Sequence, residues 1–139
     1  VDGIEVYNQS GYPLAPRFLN ELRAFLLQVA RGLPASPMKH IRVILIHDAL
    51  GRRLNRRYLG RTYAPDVLSF PLGEEGEVYV NLDKLRRMMG AYGLADLVAY
   101  YALHGMLHLL GYTHHGTRDT ARMMRLQERL FDQWISRYH

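Results

Sequence analysis

A chain of 139 residues has the length of one domain with a sizeable core, and a single domain over residues 1–139 is expected. Cysteine is absent, which excludes disulfide staples and thiolate zinc sites and permits a reducing compartment. The net charge of +5 rests on arginine, sixteen of the eighteen basic side chains, whose planar guanidinium suits phosphate oxygens. No secretory signal is legible, and the longest apolar run, Leu94 to Leu110, is broken by Asp96, His104 and His108. That run is short for a bilayer, so a buried core helix, no membrane attachment and a cytoplasmic location are expected.

Ile4 to Asn8 reads as a short strand. After Pro13, Leu14, Phe18, Leu22, Phe25 and Val29 follow helical spacing, and Gly32-Leu-Pro34 stops that helix. His40 to His47 is an almost continuous β-branched run, the pattern of a strand covered on both faces. Leu50, Leu54 and Tyr58 mark a short helix whose other faces carry Arg52, Arg53, Arg56 and Arg57. Val67 to Phe70 is a third strand bounded by Pro65 and Pro71, Gly73 to Gly76 a turn, and Glu77 to Asn81 a fourth strand.

Asp83 is placed to cap a helix that runs to about Met89 and ends at Gly90. The segment from about Ala95 to Leu110 is apolar nearly all round, so its helix belongs in the middle of the domain. A last helix from about Arg118 puts Met123, Leu126, Leu130, Trp134 and Tyr138 on one face. Arg118, Arg122, Arg125 and Arg129 stripe the opposite side, which reads as the solvated face of an amphipathic helix. The expected fold class is α+β: a four-stranded mixed sheet, about five helices and a central buried helix carrying two metal ligands.

Those ligands are His104 and His108, four apart, so both imidazoles leave one helix face a turn apart. Gly111 suits a left-handed helix end, after which the chain reverses and brings His114 back beneath the pair. Three neutral imidazoles with one open position form the pattern of a catalytic zinc site. The spacing matches that of the metzincin proteases, but Gly105 stands where their general-base glutamate would be. His115 reads as a bystander next to the last ligand.

Upstream, Arg52, Arg53, Arg56, Arg57 and Arg61 fall within ten residues, dense enough to build a basic patch of the kind that binds nucleic acid. Asp66 precedes a strand and is the candidate general base, with a turn or cap carboxylate as its other reading. Ser69 is placed beside the cleft, among the candidate RNA contacts. Thr113 is positioned for a hydrogen bond to a ligand imidazole or for a simple turn.

Taken together, these segments resemble the YbeY family. His104-Gly-Met-Leu-His-Leu-Leu-Gly-Tyr-Thr-His114 is similar to that family's signature, and Asp66-Val-Leu-Ser-Phe-Pro71 to its second hallmark. Leu54-Asn55 with Tyr58, Gly76-Glu-Val-Tyr-Val80, and Met123 or Met124 with Glu128 follow its remaining motifs in order. The likeness covers roughly residues 40 to 130. It implies a zinc-dependent endoribonuclease of α+β fold acting in ribosomal RNA maturation, especially of the small subunit, with a basic cleft around the metal. By motif position, His104, His108 and His114 take the ligand roles for one Zn2+ per chain. Leu59 replaces the family's arginine after the tyrosine, Thr113 its aspartate, and Pro65 its threonine.

A zinc ion on three histidines lowers its water's pKa to about 7. Arg57 and Arg61 are the candidates to share charge stabilisation on the phosphodiester. The RNA's own 2′ hydroxyl is the other possible nucleophile. Three readings follow: an RNA hydrolase, a peptide or amide hydrolase opposed by Gly105, and an RNA- or ribosome-binding maturation factor with a structural metal. Expected partners are ribosomal RNA and the small ribosomal subunit or its assembly factors, met by a monomer.

Overall fold

The computed structural model describes all residues 1–139. Strand β1 (Gly3–Asn8) leads into helix α1 (Pro16–Gly32), then β2 (His40–Ile46), α2 (Asp48–Leu59), β3 (Val67–Leu72) and β4 (Glu75–Asn81). Helices α3 (Leu82–Arg87), α4 (Leu94–Leu109) and α5 (Gly116–Tyr138) complete the chain. The sheet is four-stranded and mixed, in the order β1-β2-β4-β3. β1 and β4 flank β2 in parallel, and β3 closes the edge antiparallel to β4.

The period-2 pattern divides β2 between two faces. Ile41, Val43 and Leu45 join Val78 and Val80 of β4 in a core shared with α1, α4 and α5. Ile44 and Ile46 are buried on the other face. There α2 comes so close that a Cβ built on Gly51 would lie 3.4 Å from Ile46 Cδ1. The rest of that face is more open, with Arg42 paired to Glu77 and Phe70 edge-on to Tyr79.

α4 is the central element. Val98, Ala99, Ala102, Leu103, Met106 and Leu107 are each at most 1 % exposed, as a helix apolar all round requires. It meets the sheet through Gly105, where an added Cβ would stand 2.5 Å from Val78 Cγ1 and 3.1 Å from Val67 Cγ2. A glycine is therefore the condition for this helix to sit so close. The Ser69 hydroxyl fastens the same spot by donating to the Gly105 carbonyl at 2.9 Å. On its far side α4 is covered by α5, and buried Asp96 accepts from Trp134 Nε1 at 2.9 Å.

Three local expectations change. Asp83 does not cap α3: Asn81 does, its carbonyl oxygen accepting from the Asp83 and Lys84 amides. The Asp83 carboxylate instead takes the Tyr12 hydroxyl and the Asp48 amide. Pro71 does not end β3, because an edge strand tolerates a missing donor, and pairing continues to Leu72 opposite Glu75. The turn contracts to Gly73-Glu74, with Gly73 at φ 71 in the first central position, where a two-residue hairpin of the II′ kind takes glycine.

Candidate metal centre

The turn after α4 builds the site. Gly111 adopts φ 102, its amide donates to the His108 carbonyl, and the Tyr112 amide donates to the Leu107 carbonyl. These two bonds form a Schellman motif, which ends the helix and folds the chain back on itself. The reversal brings His114 under the helix and also aims the Tyr112 carbonyl at His108, whose Nδ1 lies 2.9 Å from it. An Nδ1–H donated there leaves the Nε2 lone pair free.

His104 Nε2 lies 3.1 Å from His108 Nε2 and 3.4 Å from His114 Nε2. All three donor atoms fall within 4.8 Å of one another. Nitrogens about 2.05 Å from a tetrahedral ion would stand about 3.3 Å apart, so the three ring nitrogens fit a common metal. His104 and His108 are half-buried and His114 is exposed, so the cluster opens to solvent on one side. Burial, and then the neighbouring imidazoles, push the His104 pKa down to about 4 and lower that of His108. Both rings are therefore neutral at pH 7, the state a metal needs.

Other candidate residues divide. Asp66 Oδ1 accepts from the Val67 amide at 2.6 Å, and its charge is a smaller influence than burial on His104 and on Tyr101. Ser69 donates its hydroxyl to the Gly105 carbonyl, next to His104 in the chain. Arg52, Arg53, Arg56, Arg57 and Arg61 project from α2 and the turn after it, all exposed. None of the five makes an ion pair or a hydrogen bond to the histidines; Arg57 lies 5.5 Å over the Tyr58 ring. Leu59 is 44 % exposed among them. Thr113 turns to Asp119 rather than to an imidazole, and His115 stays outside the cluster.

Three contributors escaped sequence reasoning. The Tyr112 carbonyl is backbone and leaves no trace in residue type. Thr120 donates to the His114 carbonyl at 3.2 Å and steadies the last ligand. Gln127, 2 % exposed, donates through Nε2 to the Tyr100 carbonyl at 2.8 Å, one turn ahead of His104. A glutamine on the buried face of an amphipathic helix was the available signal.

Fold and site define a single-domain α+β protein built round a three-histidine centre that can hold a metal ion. A family model described as Endoribonuclease YbeY matches residues 6–135. Proteins named Endoribonuclease YbeY include one from Moorella thermoacetica, 32% identical over 138 residues, covering 86% of this chain and 88% of its own. Another, from Thermus thermophilus, is 35% identical over 128 residues, covering 84% and 88%. A third, from Myxococcus xanthus, is 35% identical over 143 residues, and this chain, matched over 94% of its length, spans only 47% of it. A Thermotoga maritima protein solved in solution shares the fold, with TM-score 0.60 and 23% identity over 97% of this chain and 93% of its own. The chain belongs to the YbeY family of endoribonucleases.

Proposed function

We propose that this protein is a zinc-dependent endoribonuclease that cuts ribosomal RNA during small-subunit maturation in the cytoplasm. The observation that carries the reading is the convergence of three histidine Nε2 atoms on one point at an open surface. His104, His108 and His114 would hold the metal, and imidazole donors without thiolates favour zinc. Zinc supplies a Lewis acid that activates water and neutralises charge on phosphoryl oxygens. Asp66, the carboxylate closest in effect to His104, takes the proton of the attacking group. Arg57 and Arg61 compensate the charge that grows on the phosphodiester. Arg52, Arg53 and Arg56 draw in the RNA backbone, and exposed Tyr58 and Tyr63 offer faces on which bases stack. Ser69 positions α4 for this substrate by holding Gly105.

Gly105 argues against the peptidase reading on geometry as well as chemistry. A glutamate at this position would clash from its Cβ outward with Val78, Ser69 and Val67. Exposed Leu59, in place of the family's arginine, favours a second reading, a ribosome-binding maturation factor whose catalysis is weak. Purified zinc-loaded protein offered structured small-subunit rRNA and casein should cleave the RNA alone, and His108→Ala should remove cleavage. Salt-sensitive RNA binding with no cleavage at any enzyme concentration would select the maturation factor instead.

A further inference from the structure

The arginine stripe of α5 does not simply face solvent. Arg122, Arg125 and Arg129 line a groove of about 590 Å³ against Tyr112 and the Gly32–Pro34 end of α1. A second hollow of about 340 Å³ shares Pro34, Tyr112 and Arg122 with it and runs on to Gly111 and Thr113. The two hollows make one trough that ends a residue short of His114. None of the three arginines has an ion pair or a hydrogen bond, and Arg122 lies 5.6 Å over the Tyr112 ring. From Arg122 to Arg129 the helix rises about 10 Å. That is long enough to reach two or three consecutive phosphates, which in one strand of a DNA duplex advance about 3.4 Å each along the axis.

We propose that this trough holds the phosphate backbone of the RNA strand on one side of the scissile bond, opposite the α2 arginines. The inference rests on the RNA reading above and adds where the strand runs. The Arg125→Ala/Arg129→Ala double variant tests it, with RNA affinity measured across a salt series. Removing two phosphate contacts should flatten the slope of log K against log salt by about 1.4 and weaken binding on the order of tenfold at low salt. Metal content and thermal unfolding should stay at wild-type values. A wild type with steep salt dependence and a variant indistinguishable from it would overturn the trough alone. A wild type whose binding ignores salt would take the RNA reading down with it. If polyglutamate competes better than RNA, the trough serves an acidic protein, and the proposal fails.

Discussion

Burial strips water from His104, and the adjacent imidazoles add repulsion, so its pKa falls to about 4. In the unfolded chain the same ring titrates near 6.5. The folded state therefore resists protonation: its stability is complete above pH 6.5 and lost as pH falls through about 4, with His108 shifted in the same direction. Metal-free protein should show a melting temperature that declines steadily below pH 6.5. A melting temperature flat between pH 7 and 4 would contradict the burial of these rings. Gly105 is the other residue on which the site turns. Gly105→Ala pushes a methyl into Val78, and overpacking of this kind costs about 1–3 kcal/mol. Because His104 is the preceding residue, zinc affinity should fall along with the denaturation midpoint.

Among the elements, the junction of α2, α3 and the loop before β3 depends on one side chain. Asn81 is fully buried, donates to the Pro65 carbonyl at 3.0 Å and to Asp48 at 2.8 Å, and caps α3. Asp48 in turn takes a two-pronged contact from Arg87, at 2.8 and 3.0 Å. Asn81→Ala removes the cap and leaves the buried Pro65 carbonyl without its donor, which should cost about 2–4 kcal/mol in chemical denaturation. A loss under about 0.5 kcal/mol would mean that water replaces the amide fully. This junction also holds the loop that ends in Asp66, so the variant should lower RNA cleavage beyond its effect on the folded fraction.

At the scale of the molecule, what could be read in advance was what periodicity and local spacing encode. All nine elements were legible, from apolar spacing in most, from unbroken apolar runs in β2 and α4, and from the turn and cap residues around α3. The histidine set was legible too, since four-residue spacing and a helix-ending glycine are local rules. Long-range geometry was not. Asp83 stands where a cap would stand, yet Asn81 has the free carbonyl oxygen at the end of β4, and only the fold decides between them. Gly105 reads as a missing glutamate until the sheet is placed beneath it. Gln127 acquires its partner, and the α5 arginines their groove, only when α5 lies across α4 and beside the end of α1.

The proposed activity requires His104, His108 and His114 to place one metal ion where RNA is cut. Its most direct test is a zinc titration of stripped protein, read as cleavage of a small-subunit rRNA fragment. Cleavage should rise from nothing to a plateau at one zinc per chain, and His114→Ala should stay at the baseline throughout. Full cleavage by stripped protein, or wild-type cleavage by His114→Ala, would contradict it.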